Sequence, residues 1–467
     1  MRQKDNFFSL KMELHRYKNI YLIGIGGIGM SALAQYFAKN GKKVSGYDRT
    51  KTDITEFLQN QGIEIHFQDD IRLIPAAFKN SSETLVVYTP AVKKLSELDY
   101  FLQNNYQVMK RSEVLGAITR NTFCLAVAGT HGKTTTSSIL AHILVEAKAS
   151  ISAFLGGICE NFNSNLVLHG NEITVVEADE FDRSFLQLSP DIACITAIDS
   201  DHLDIYGNEE EFEKGFYDFT KQLKPNGKLI VRNNLSFNGL TYGIEELSDY
   251  IIKNVSIQNG AYLFDIEYPD LQSNERKIIK NCIFAKPGRH NLLNALVAVA
   301  MGHQAGFSID ILAKALITFK GVKRRFSYQI RTENQVFIDD YAHHPTELNA
   351  LYQAVREMHP NKEVTIIFQP HLYTRTRDFA DGFAKSLAQF DQIVLLDIYP
   401  ARELPIEGIS SQWLLEKVLS KKKILIRKED LLDWIKKNPS EVLITAGAGD
   451  IGAEVEKIKK QLLNKNK

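Results

Sequence analysis

The 467 residues carry 56 lysines and arginines against 56 aspartates and glutamates, and 44% of them are apolar. Single cores stop growing near ~250–300 residues, so a chain of this length divides into about three domains. Balanced charge excludes a general field for nucleic acid or an anionic membrane, and no apolar run approaches the ~20 residues that span a bilayer; small-molecule partners are expected, with no nucleic acid and no membrane insertion.

Cys124, Cys159, Cys194 and Cys282 are scattered without a C-x-x-C spacing. That pattern fits reduced structural thiols in a cytoplasmic protein better than disulfides or a zinc site. In chain order, the apolar run NIYLIGI is followed by a helical pattern with Met30, Leu33, Ala34 and Phe37 at i, i+3, i+4 and i+7, then by KKVSGYD. Strand, helix, strand is the rhythm of a parallel sheet. Gly24, Gly26 and Gly29 sit between the first strand and its helix, and Asp48 ends the second strand. This suits a dinucleotide, any diphosphate on a helix N-terminus such as that of a UDP-sugar, or a purely structural tight turn.

The pattern restarts at TFCLAVAGTHGKTTT. An apolar strand running through Gly129, Thr130, His131 and Gly132 into Lys133, Thr134 and Thr135 at a helix start makes a triphosphate cradle. Backbone N–H groups face phosphate, Lys133 bridges the outer phosphates, and the Thr134 hydroxyl reaches magnesium. The usual first glycine of such loops falls on Val127, so this is a shortened variant; the bland alternative is a strand-to-helix turn with a threonine cap.

Two further strands end in carboxylates. VVEADEFDRSF delivers Glu177 and Asp179, and IACITAIDSDHLD delivers Asp201, His202 and Asp204. Glu177 and His202 are expected as ligands of a divalent metal beside the phosphates. Asp182, Glu180 and Asp199 read as surface carboxylates capping helices. Residues 249–285 form three polar-punctuated apolar runs, expected as successive antiparallel strands flanking the central sheet.

Asn291, in the first turn of the helix begun by PGRHNLLNALVAVA, can meet an adenine edge or serve as a cap. In GVKRRFS, Arg324 and Arg325 would reach the gamma phosphate if a third domain closed, or would belong to a solvated linker. The pattern restarts again beyond it. DDYAHHPTE and FQPHLYTRTRDF gather Asp340, Tyr341, His343, His344, His371, Arg375 and Arg377 at strand ends, which suits an anion such as an amino-acid carboxylate. Zinc is the alternative, without a third well-spaced ligand to support it.

Together these motifs resemble the Mur ligases over residues 18–455, most closely the branch that adds L-alanine to UDP-N-acetylmuramate. The resemblance implies an α/β fold of three domains. The first, residues 1–120, would be a Rossmann-like UDP-sugar domain; the second, 121–321, a P-loop ATPase with a parallel sheet plus a small antiparallel sheet. The third, 322–467, would be a Rossmann-like domain bringing the amino acid. It implies ATP as cosubstrate and magnesium or manganese as cofactor. Lys133, Thr134, Glu177, His202, His343 and Arg377 would be catalytic, with metal on Thr134, Glu177 and His202. Asn291, Arg325 and Asp340 would join residues 129–135 on ATP. The UDP-sugar would meet Gly24, Gly26, Gly27, Gly29, Asp48 and Arg111, and alanine Tyr341, His343, His371, Arg375 and Arg377.

One position departs from the wider superfamily. The lysine that others carbamylate to bridge a second metal is Phe216 here, and Lys214 lies on the wrong helical face. Expected as a monomer or homodimer, the protein has three rivals to exclude. A nicotinamide dehydrogenase would leave GTHGKTTT idle; a nucleotide-sugar sensor would hydrolyse ATP without forming an amide; a recycling ligase would attach a preformed tripeptide.

Overall fold

The computed structural model describes residues 13–90, 92, 94–199, 206, 208–258, 260–273, 275–401 and 403–464. It is an α/β protein built on three sheets. The first sheet holds β1 (Asn19–Ile23), β2 (Lys43–Tyr47), β3 (Glu64–His66), β4 (Thr84–Tyr88) and β5 (Gln107–Lys110) in the order β3-β2-β1-β4-β5, all parallel. All of β1 is buried, as a strand covered on both faces must be, and its alternate side chains enter different cores. Ile20 and Leu22 join one, Tyr21 and Ile23 the other. The strand order reverses beside β1, so the loop that leaves it opens at a topological switch point.

The second sheet has ten strands. β6 (Phe123–Ala128) lies between β9 (Ile173–Glu177) and β10 (Ile192–Ile195), parallel to both. β7 (Ile151–Cys159) pairs parallel with β9 and antiparallel with β8 (Ser164–Leu168). On the other side follow β11 (Lys228–Arg232), β12 (Leu240–Ile244), β13 (Tyr250–Gln258), β14 (Ala261–Pro269) and β15 (Arg276–Phe284), neighbours in that order. The connections after β13 and β14 are too short for a parallel crossover, so these three strands run antiparallel. They extend the same sheet instead of forming one of their own.

Apart from Ile257–Tyr262, where β13 ends and β14 begins, these two sheets belong to one compact unit. Helix α1 (Ile28–Lys39) packs on β7 and β8, where a buried polar cluster fixes its position. Gln35 Nε2 donates to Asn165 Oδ1 at 3.0 Å, and Asn165 Nδ2 donates to Ile28 O at 2.5 Å and Ser31 Oγ at 2.9 Å. Such a satisfied network locks register where apolar contacts alone would let the helix slide. The start of α1, and the glycine loop before it, are thereby set against the second sheet.

The second unit is built from Gly321 onward, with Ile257–Tyr262 and Ala285–Leu292. Its sheet runs β16-β17-β21-β18-β19-β20, from β16 (Ser327–Arg331), β17 (Val336–Asp340), β18 (Val364–Phe368), β19 (Gln392–Leu395), β20 (Lys423–Leu425) and β21 (Val442–Ala446). Only the β16–β17 pair is antiparallel. Ile338 and Ile444 fill the core on one face, Phe337 and Leu443 that on the other. Among the described residues no helix is long and apolar enough to cross a membrane.

Candidate active site

Residues 129–132 join β6 to α2 (Lys133–Glu146). Gly132 stands before the helix at φ +83°, and a Cβ there would lie 2.5 Å from Asn294 Oδ1; Gly129 has φ +128° and would put one 2.2 Å from Thr196 Oγ1. Both positions therefore demand glycine. The loop is stapled to the chain leaving β10. Thr130 N donates to Ala197 O at 2.9 Å, Thr196 Oγ1 donates to Ala128 O and His131 O, and Asp199 N donates to Thr130 Oγ1 at 3.1 Å. His131 Nε2 lies 3.2 Å from Asp199 Oδ2. Substituting Gly132→Ala is expected to lower kcat/KM for ATP about tenfold or more, because left-handed backbone with a side chain costs ~1–2 kcal/mol before the Asn294 clash is counted. Unchanged ATP kinetics would show that the turn has no part in binding.

The first turn of α2 meets the end of β9. Thr134 Oγ1 donates to the Glu177 carboxylate, at 2.8 and 3.1 Å from its two oxygens, while Gly156 N donates to Glu177 Oε2 at 2.7 Å. A Cβ on Gly156 would sit 2.1 Å from that oxygen, so glycine makes the room. Thr134 and Glu177 form a hard-oxygen pair at a helix N-terminus, a donor set that fits magnesium. Asp201, His202 and Asp204 lie outside the described residues. Phe216 is fully buried against Phe185 and Phe212, and Lys214 pairs with Glu211 at 3.0 Å.

Glu180 corrects the sequence reading. It is no surface cap: it is 2% exposed, and both its oxygens lie 2.8 Å from Lys133 Nζ, which also donates to Gly129 O at 2.6 Å. Burial works against the charge of Lys133, but Glu180, Asp179 and Glu177 outweigh it and hold the ammonium above its ordinary range. Asp182 and Asp199 do stay at the surface. Asn294 was missed as well. It lies three residues after Asn291 on one helix, a spacing that shares a face.

At the first glycine loop, Gly24 takes φ +83°. Asp48 Oδ2 accepts from Gly26 N at 2.8 Å, so this carboxylate fastens the loop, and Cβ atoms on Gly26 would strike Asp48 and Thr55. Gly27 precedes α1 in extended conformation. The helix Arg111–Arg120 begins with Arg111, whose guanidinium would stand 3.1 Å from a Cβ on Gly29 and reaches Asp179 Oδ2 at 3.8 Å. Arg111, Glu177 and Asp179 line one small pocket. Arg111 thus links the helix that follows the first glycine loop to the segment that carries Glu177, within one unit.

In the second unit, Asp340 ends β17 and accepts from Phe326 N and Ala342 N, each at 2.7 Å. It pins a strained turn in which Arg324 and Phe326 take φ +62° and +44°. Arg324 and Arg325 stand 5.0 and 5.2 Å from the Tyr341 ring centroid. Arg325 also approaches Glu347 at 3.7 Å. His343 Nδ1 lies 2.9 Å from Tyr341 O, an arrangement that assigns its proton to Nδ1 and leaves the Nε2 lone pair free of that bond. Burial lowers the pKa of His343, with Glu347 opposing and Arg375 reinforcing; burial, His343 and Arg375 push His371 down to about 4. Both rings are neutral at pH 7.

His371 stacks on Tyr399 and meets His343 edge-on at 6.2 Å. Tyr341, His343, His371 and Arg375 therefore gather. Arg377 does not join them: two residues on along the helix Tyr373–Asp378, it pairs with Asp378 at 2.7 Å and lines a groove with His344, Phe379 and Trp413. Asn291 lies inside the first turn of the helix Arg289–Gln304, not at its cap, and its Nδ2 donates to Pro287 O at 2.6 Å.

Burial pushes Asp339 and Asp340 up to about 6, against Arg324 in the first case and Arg325 in the second. Unfolded carboxyls titrate near ~4. Between these values the folded chain holds the extra protons, so each carboxyl contributes stability that is complete below about pH 4 and is lost as pH rises through about 6. For Asp339, 1% exposed, the change is about 3 kcal/mol. Denaturant unfolding of Asp339→Asn should lose that share of the decline between pH 4 and 7; a decline equal to the parent's would refute it.

Three family models match in sequence. The Mur ligase family catalytic domain covers residues 19–122, the Mur ligase middle domain 127–302, and the Mur ligase glutamate ligase domain 324–449. The chain is 56% identical over 452 residues to a UDP-N-acetylmuramate–L-alanine ligase of Flavobacterium psychrophilum, and 54% identical over 454 residues to one of Christiangramia forsetii; each alignment spans 97% of this chain and 99% of the relative. The crystal structure of a UDP-N-acetylmuramate-alanine ligase of Thermotoga maritima superposes with TM-score 0.80 at 28% identity, over 96% of this chain and 99% of that one. A murein peptide ligase of Psychrobacter arcticus shares the fold, with TM-score 0.68 at 22% identity over 96% and 99%. The chain belongs to the Mur ligase family.

Proposed function

We infer that this Mur ligase joins L-alanine to the lactyl carboxylate of UDP-N-acetylmuramate, with ATP converted to ADP and phosphate. The observation that carries it is Arg111, which stands against Gly29 beside the first glycine loop and reaches Asp179, two residues beyond the Glu177 that Thr134 of the second loop contacts. One seats a diphosphate, the other a triphosphate, and an acid linked to the first is presented to the second. High identity to alanine-adding relatives favours this over the tripeptide-attaching alternative. The bond between Asp48 and Gly26 commits that acid to the loop and gives a nicotinamide ribose one partner fewer.

A lactyl carboxylate oxygen attacks the gamma phosphorus, and the bond from that phosphorus to ADP breaks. The product is an acyl phosphate. Both partners are anions, so Lys133 and the loop amides must offset their repulsion before in-line transfer. A divalent ion held on Thr134 and Glu177, with His202 assigned to the same set, would add Lewis-acid screening. The alanine nitrogen then attacks the acyl carbon, phosphate departs, and the amine's proton goes to a base. His343, neutral with Nε2 as acceptor, is assigned that role beside departing phosphate. Arg375, Tyr341 and His371 are assigned to the amino acid, Arg325, Asn291 and Asp340 to ATP.

We also propose domain boundaries at 120 and 321, a cytoplasmic location and a monomer or homodimer. The test is phosphate release with UDP-N-acetylmuramate, ATP and each amino acid in turn. Alanine should release phosphate in step with amide product. Phosphate without amide would turn the reading toward a sensor, and no release with any amino acid would overturn it.

A further inference from the structure

We propose that Glu180 is a positioning residue that holds Lys133 when the nucleotide loop is empty and competes with phosphate for its ammonium. Lys133 Nζ donates to Glu180 Oε1 at 2.8 Å and lies 2.8 Å from Oε2, with side chains 14% and 2% exposed. Glu180 is itself anchored, since Tyr206 Oη donates to its backbone carbonyl at 2.7 Å. The same short segment sends Glu177 to Thr134 and Asp179 toward Arg111, so its three acids address three elements of the two substrate loops.

A buried ammonium without a counter-ion is costly, and a buried carboxylate beside polyphosphate is equally so. Glu180 therefore stabilises the empty loop and opposes the filled one. Binding draws Lys133 from carboxylate to phosphate; after turnover, recapture by Glu180 assists ADP in leaving. A purely structural role predicts the opposite sign, because damage to the loop weakens binding.

This inference rests on the nucleotide reading of the loop, and the two fail separately. ADP affinity of the parent protein, measured by calorimetry, tests the reading; the ratio of variant to parent tests the inference. Glu180→Gln, nearly isosteric, should bind ADP about tenfold more tightly and release it correspondingly more slowly, with kcat falling while the ATP requirement drops. Glu180→Asp, which keeps the charge but withdraws it by a methylene, should fall between and carries the test if the first variant does not fold. ADP affinity equal to or weaker than the parent's in the folded variants would overturn the proposal. A parent that binds no ADP would overturn it together with the nucleotide reading.

Discussion

Replacing Lys133 by alanine is expected to cut ATP-dependent phosphate release by about 10²–10³-fold, the usual consequence of deleting one preorganised donor from a site where anionic charge develops. The affinity for UDP-N-acetylmuramate, measured separately by calorimetry, should stay within about twofold, because the Gly24–Gly29 loop and Arg111 keep their own contacts. A second consequence is thermal. Glu180, 2% exposed, loses its counter-ion, and breaking a buried pair costs about 3–5 kcal/mol unless the carboxyl takes up a proton. For a domain of about 200 residues that lowers Tm by roughly 6–20 °C. Adding Glu180→Gln to the alanine variant should restore most of the stability and none of the turnover. Turnover within tenfold of the parent's would mean that GTHGKT is not a triphosphate seat.

What the sequence revealed and what it hid follow from how local each feature is. Gly132, Lys133 and Thr134 obey rules of one turn and one helix start, so the loop is legible wherever a strand precedes it. The alternation in β17 and β21 likewise reports two buried faces without any partner being known. Glu180 was misread because its burial depends on Lys133, 47 positions earlier, and a carboxylate three residues beyond an apolar strand looks like a cap until that partner is seen. Asn294 carries no motif of its own; only the missing Cβ of Gly132 makes room for it. Residues 249–285 were legible as successive antiparallel strands, but their pairing onto β12 was not, since an edge strand does not encode what its edge will meet. Arg375 and Arg377 were grouped by proximity in sequence, whereas residues two apart on a helix face different ways.

Glu177→Gln should be the second severe lesion, and its signature should separate metal from nucleotide. The carboxylate takes a hydroxyl hydrogen bond from Thr134 and an amide hydrogen bond from Gly156, both donors. Glutamine turns one acceptor into a donor, so whichever way the amide sits, an N–H faces either the hydroxyl or the backbone N–H, and the negative charge that suits a hard cation is gone. Manganese binding followed by electron paramagnetic resonance, with ADP present, should weaken at least about tenfold, and turnover should fall about a hundredfold at fixed magnesium and recover only in part when magnesium is raised. ADP binding without metal should change little, because the loop amides and Lys133 remain. If manganese affinity were untouched while turnover fell, Glu177 would be acting on loop geometry alone, and the hard-oxygen pair at the head of α2 would have to give up its assignment as a metal seat.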